Sequence, residues 1–307
     1  MLRVTSGGLG RIVRMRVGVV DVGSNTVRLL VTGPGDSALV QVRTEKAYVG
    51  LAAELMRCGE IGAEKLAETA RVVGEYAALA RRLGAQHIEI VLTAPGRQAP
   101  NGDELLHAVA RAARAPARIL TGREEGLLAY EGAVACADAL PETVAVCDVG
   151  GGSTELVVGR PPAPPAWSAS VDVGALGLTV ASLPSDPPTS DELAAAAEEV
   201  DRRFAALEPP RPLGALAVGG SARALSRLVG PTLGVEELDE ALARSAERPA
   251  AKLARRYGLE RERARVLPAG ALILRAIAER LGVPLELARG GLREGIAAGL
   301  LAEAEAA

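Results

Sequence analysis

Two short runs of the chain repeat the same chemistry in the same order. DVGSNTVRLLV from Asp21 to Val31 aligns without gaps with DVGGGSTELVV from Asp148 to Val158, and each ends in an apolar, strand-like segment. The turns between, Gly23-Ser24-Asn25-Thr26 and Gly150-Gly151-Gly152-Ser153-Thr154, consist of glycine and small polar residues. Glycine lets the backbone approach a ligand closely, and successive amide N–H groups with small hydroxyls form a donor nest for phosphate oxygens. Two such nests could clamp a chain of phosphates. One glycine turn alone is equally at home in a hairpin; two copies, each led by an aspartate, point to a ligand.

Carboxylates stand on or beside both turns, at Asp21, Asp148 and Glu155. A phosphate chain needs divalent cations to neutralise it, and magnesium, or manganese in its place, favours a few carboxylates, water and substrate oxygens. These three acids are candidate metal-site residues; the alternative for Asp21 and Asp148 is that each caps its own turn. A further pair, Glu124 and Glu125, opens a helix through the T-x-x-E capping box of Thr121, Gly122, Arg123 and Glu124. Glu124 is committed to the cap. Glu125 shares a helix face with Leu128, Ala129 and Gly132, where partial burial would raise its pKa and suit it as a general base.

Other routes to chemistry are missing. There is no G-x-S-x-G, no Walker A run and no G-x-G-x-x-G between strand and helix. His87 and His107 have neither nucleophile partners nor metal-site spacing and read as structural.

The elements that must hold these loops alternate in type. Val17 to Val31 reads as strand, turn and strand; Leu66, Ala70, Val73, Ala77 and Ala80 recur at helical spacing; His87 to Thr93 is a strand. Asp103 to Ala115 is a helix, Ala117 to Leu120 a short strand, and the capped helix runs from Thr121 to about Ala139. Beyond the second copy come the proline-rich loops RPPAPPA and LPSDPPT, a helix over Asp191 to Leu207, a strand over Leu216 to Val218 and a helix over Ser221 to Val229. From Val235 the chain is mostly helical, with a strand near Leu285 to Ala288. Hairpins mixed with crossover helices give an α/β fold, and two distant copies of one hairpin give two related domains.

Composition sets limits. The 307 residues are 49% hydrophobic and 2% aromatic with a formal net charge of -3, so small aliphatic residues build the core and bulk positive charge does not attract nucleic acid. Cys58, Cys136 and Cys147 form neither a disulfide framework nor a zinc site, and no apolar stretch approaches membrane-spanning length. A soluble cytoplasmic protein is expected. Residues 1–15 read as a disordered extension, with Met15 an alternative start.

These motifs resemble the exopolyphosphatase and guanosine pentaphosphate phosphohydrolase (Ppx/GppA) family, within the actin, sugar kinase and heat-shock ATPase superfold. The resemblance rests on DVGSNTVRLLV at Asp21, the segment around Arg97 and Asn101, TGREEGLLAYEGA at Thr121, CDVGGGSTELVVG at Cys147, LPSDPPT at Leu183 and GGLREGI at Gly290. It implies two ribonuclease H-like domains around a cleft: domain I over 16–121 and domain II over 122–307, the last helix free to return to domain I. It places the general base on Glu125, metal-linked acids on Asp148 and Glu155, and arginines for phosphate or the domain junction on Arg28, Arg97 and Arg293. Together with Gly23, Ser24, Asn25, Thr26, Gly150, Gly151, Gly152, Ser153 and Thr154 these form the expected site, with inorganic polyphosphate or a guanosine penta- or tetraphosphate as substrate, Mg2+ or Mn2+ as cofactor and a homodimer as assembly.

The sequence departs from the family pattern at three places. Ala47-Tyr48-Val49-Gly50-Leu51 lacks the usual arginine, Gly177 stands where an arginine is common, and Arg265 occupies a common aspartate position. Two missing cations should weaken the grip on long chains. Rival readings are an ATP-dependent kinase or ATPase, with Gly219-Gly220-Ser221 as its adenosine loop, and a non-catalytic sensor of the same ligands.

Overall fold

The computed structural model describes residues 15–35 and 39–306, so the expected N-terminal extension lies, apart from Met15, outside the described residues. The first half contains β1 (Arg16–Val22), β2 (Thr26–Pro34), β3 (Leu39–Tyr48), α1 (Leu51–Cys58), α2 (Ala63–Arg82), β4 (Ala85–Leu92), α3 (Ala94–Gln98), α4 (Gly102–Ala113) and β5 (Ala117–Ile119). The helix α5 (Gly122–Ala135) leads to β6 (Val144–Val149), β7 (Thr154–Gly159), β8 (Trp167–Val171), α6 (Ala175–Ser182), α7 (Ser190–Phe204), β9 (Gly214–Val218) and α8 (Gly219–Val229). The chain closes with β10 (Thr232–Leu233), α9 (Val235–Ala246), α10 (Ala250–Tyr257), α11 (Arg261–Arg265), α12 (Leu267–Leu281), β11 (Leu285–Leu287) and α13 (Leu292–Ala306). Among the described residues no helix is long and apolar enough to cross a membrane.

The internal repeat extends to whole sheets. The first is ordered β3-β2-β1-β4-β5, with β1, β2 and β3 antiparallel and β4 and β5 parallel to β1. The second, read from its β8 edge, runs β8-β7-β6-β9-β11 with the same strand directions, and β10 is added antiparallel beyond β11. Both have the strand order of a ribonuclease H-like unit. The central strands β1, β2, β6 and β7 read as near-continuous apolar runs because both their faces are covered.

Side-chain alternation decides what each face meets. Val20 and Val22 of β1 join the first core with Val73, Ala77 and Leu105 of α2 and α4. Ala145, Cys147 and Val149 of β6 join the second core, built on α7, α8, α9 and α12. The opposite parity, Val17 and Val19 of β1 with Val144 and Val146 of β6, packs on Ala129, Tyr130 and Ala133 of α5 and Ile296 and Ala297 of α13. Helices α5 and α13 thus form a layer between the sheets.

That layer is close because glycines face each other. A Cβ on Gly132 would stand 2.0 Å from the Gly291 carbonyl oxygen, and one on Gly295 would stand 2.0 Å from that of Leu128. The GGLREGI motif is therefore a helix-crossing device as well as the carrier of Arg293.

Candidate active site

The alternation that buries Val19 and Val146 sends Asp21 and Asp148, next of the same parity, to the facing ends of β1 and β6. Both line one cleft with the two glycine turns, Arg28 and Glu125. Each aspartate has a register partner on the following strand: Arg28 opposite Asp21 and Glu155 opposite Asp148. The repeat places a cation in one unit and an anion at the equivalent point of the other.

The two turns close by the same bond. Gly23 N–H donates to the Thr26 carbonyl at 3.0 Å and Gly150 N–H to that of Ser153 at 3.0 Å. The amides of Ser24, Asn25, Gly151, Gly152 and Ser153 make no hydrogen bond within the described residues, and all five residues line the cleft. The turns also touch, since a Cβ on Gly151 would lie 2.8 Å from that of Ser24. Behind the first turn the Asn25 carbonyl accepts from Val49 N–H at 2.9 Å and Gly50 N–H at 3.0 Å, and the Ser24 carbonyl from Ala52 N–H at 2.8 Å. The Ala47–Leu51 stretch that departs from the family pattern buttresses the turn through its backbone, Gly50 adopting φ 66° to do so.

Glu124 and Glu125 separate as their spacing requires. Glu124 accepts from Thr121 N–H at 2.8 Å while its own N–H donates to Thr121 Oγ1, completing the capping box. Glu125 is 7% exposed, its Oε2 2.7 Å from Arg97 Nη1. Burial drives its pKa up to about 7, against the opposing pull of Arg97 and with the help of Asp148 and Asp21. Asp148 is raised to about 6 by burial and by Asp21, and burial also raises Asp21.

Three expected site residues do not line the cleft. Arg97 is occupied: it donates to the Leu120 carbonyl at 2.8 Å, to Glu125 and to Ser153 Oγ at 3.2 Å, so it braces the acid instead of offering a free phosphate grip. Thr154 Oγ1 donates to the Val173 carbonyl at 2.6 Å, turned inward by strand alternation. Glu155 is 1% exposed behind the cleft, where it accepts from Ser170 Oγ at 2.9 Å and lies 3.7 Å from Arg97. Its burial and the neighbouring acids hold its pKa well above the usual carboxylate range. Asn101 hydrogen-bonds Ile61 through both amide atoms, a purely structural tie. His87 and His107 are exposed outside the cleft.

Two cations have no counterpart among the residues expected from the sequence. Arg223 in α8 and Arg263 in α11 both line the cleft. Arg263 donates to Ser221 Oγ at 3.4 Å and packs on Gly220, where a Cβ would stand 2.6 Å from its Nη2. For Arg223 the available signal is Gly219-Gly220 at a strand-to-helix junction with an arginine one turn on; for Arg263 there is none. Arg265 is engaged elsewhere, donating to the Leu183 carbonyl.

The donor set suits a hard divalent cation. Asp21 Oδ1 is buried without a hydrogen-bond partner, and Asp21 and Asp148 face a cleft crowded with carboxylates. Among the described residues no three His, Cys, Asp or Glu side chains group as a metal site, so the expected trio is not assembled: Glu155 stays behind the cleft and Asp21 and Asp148 alone remain to share an ion with water and phosphate oxygens.

Two ribonuclease H-like units, each offering one glycine turn to a shared cleft, make up a two-unit α/β fold. The chain belongs to the Ppx/GppA phosphatase family, whose profile matches residues 31–304. Exopolyphosphatase 1 of Mycobacterium tuberculosis is 30% identical over 303 residues, covering 92% of this chain and 87% of that protein. Exopolyphosphatase 2 of the same organism is 33% identical over 203 residues, 63% of this chain and 62% of that protein, so that match spans less than two thirds of the relative. The crystal structure of the Aquifex aeolicus family member superposes with a TM-score of 0.79 at 26% identity, covering 95% of this chain and 98% of that one.

Proposed function

We propose that the chain removes the terminal phosphate of inorganic polyphosphate by direct attack of water. The observation that carries this reading is the set of five unengaged loop amides, from both units, lining the cleft that holds Glu125 and the two aspartates. The names of the mycobacterial relatives support the substrate class.

Amides of the two turns and the hydroxyl of Ser24 surround the terminal phosphoryl group and stabilise charge on its oxygens. Glu125, held by Arg97 at Oε2, has Oε1 free to orient a water molecule and accept its proton. The water oxygen bonds to phosphorus as the bond to the bridging oxygen breaks. The shortened chain leaves with the electron pair, and Glu125 returns its proton to solvent. Asp21 and Asp148 would hold Mg2+ or Mn2+, which when bound neutralises phosphate charge. Arg263 packed on Gly220 occupies the loop that an adenosine would need, favouring a phosphate chain over ATP.

The test is magnesium-dependent phosphate release measured side by side from tripolyphosphate, long polyphosphate, guanosine pentaphosphate and ATP, with Glu125→Gln as control. Release from polyphosphate that Glu125→Gln abolishes is expected. Release confined to guanosine pentaphosphate moves the substrate to the alarmone, phosphoryl transfer from ATP to a small metabolite overturns the hydrolase, and binding without release makes the protein a sensor.

A further inference from the structure

Arg223 is one of two cleft arginines, with Arg263, that neither the repeat nor the family motifs explain. It follows Gly219 by one turn of α8, so the two share a helix face. That face looks onto the acids, because a Cβ on Gly219 would lie 2.7 Å from Asp148 Oδ1. The Arg223 side chain is exposed and, among the described residues, makes no hydrogen bond or salt bridge, its charge acting on Asp148 only at longer range. Its neighbours differ: Arg263 is tied to Ser221 and Arg293 to the Leu29 carbonyl. Arg28 also lacks a side-chain hydrogen bond among the described residues, but it is the register partner of Asp21 and belongs to the family motif that begins there.

Resting on the hydrolase reading, we propose that Arg223 is a binding residue that sets chain-length preference, gripping phosphoryl groups beyond the terminal unit. Hydrolysis places the terminal group beside Glu125 and the loop amides, so the rest of the chain must lead away along the cleft. The α8 side is lined by Gly219, Gly220 and Arg223, where an uncommitted planar guanidinium can take two non-bridging oxygens at once. On this proposal a chain of three phosphates engages it less than a long chain does.

The experiment compares wild type and Arg223→Ala on tripolyphosphate and on long polyphosphate, with KM and kcat determined for each. The KM for the long chain is expected to rise on the order of 10-fold, the loss of one charge-assisted contact, with kcat and both constants for tripolyphosphate within about twofold of wild type. An equal KM rise on both lengths, a fall in kcat, or no change on either overturns the inference, as does an effect seen only with guanosine pentaphosphate. Wild type releasing no phosphate from either polyphosphate overturns the hydrolase reading itself, a result distinct from an active wild type matched by its variant.

Discussion

Arg97 and Glu125 form a partly buried ion pair, Nη1 to Oε2 at 2.7 Å, that joins α3 of the first unit to α5 between the two sheets. The pair is unequal in effect, since burial raises Glu125 to about 7 even though the arginine pulls it down. Activity that needs the carboxylate should fall as pH drops through about 7. Replacing Arg97 by Gln removes the opposing pull, so Glu125 should titrate higher and the acid limb of kcat/KM should move to more alkaline pH. On that limb, activity at a fixed pH should fall about tenfold for each pH unit the limb moves. An unmoved limb in the pH–rate profile would show that this pair does not set the base.

Glu125→Gln should abolish turnover yet stabilise the protein at alkaline pH. In the folded chain Glu125 titrates above the ordinary glutamate value of 4.5, so the wild type binds this proton more tightly when folded. The associated stability is complete below about 4.5 and lost as pH rises through about 7, at most about 3 kcal/mol. The Gln variant never ionises there. Thermal melts at pH 8 should favour the variant, with the difference vanishing near pH 5.

Thr121→Ala should separate the neighbouring glutamates by function. It removes the side chain that accepts from Glu124 N–H, which costs about 1 kcal/mol and leaves Glu125 with Arg97. Urea unfolding should register the loss while kcat stays near wild type; a collapse of kcat would place Glu124 in the chemistry.

Two glycines of α13 should respond oppositely to alanine. At Gly295 the new Cβ would meet the Leu128 carbonyl oxygen at 2.0 Å, whereas Gly299 has nothing within 4 Å. Gly295→Ala must force α5 and α13 apart, costing about 1–3 kcal/mol or more. Gly299→Ala should stabilise by about 0.5–1 kcal/mol through helix entropy. Denaturant midpoints of the two variants check both signs.

Chelation should silence the enzyme, and magnesium affinity should weaken as pH falls. Asp148 titrates near 6 by virtue of burial and Asp21, so protons compete with the cation below that value. Half-activating magnesium concentrations measured at pH 6 and pH 8 should differ, the lower pH needing more; equal values would remove Asp148 from the ion's shell.

Much of this was legible in the residues because it is local. A gapless repeat of one hairpin exposed the two related units, and T-x-x-E set the register of α5, sending Glu124 to the cap and Glu125 to the packed face. Less legible were β3, whose outward residues include Arg43, Glu45 and Lys46 and blur the alternation, and the short helices α1 and α6.

The sequence by itself determined turn chemistry, helix capping and the duplicated unit, since these depend on neighbours within a few residues. Only the tertiary structure decided which side chains share the cleft. Arg97 meets Glu125 across 28 residues and Ser153 across 56, and Arg263 meets Ser221 across 42. Whether Arg97 grips phosphate or braces the acid, and whether Thr154 and Glu155 face the ligand or the interior, follows from strand parity and the packing of α5 and α13 between the sheets. Those are properties of residues distant in the chain, and no local spacing encodes them.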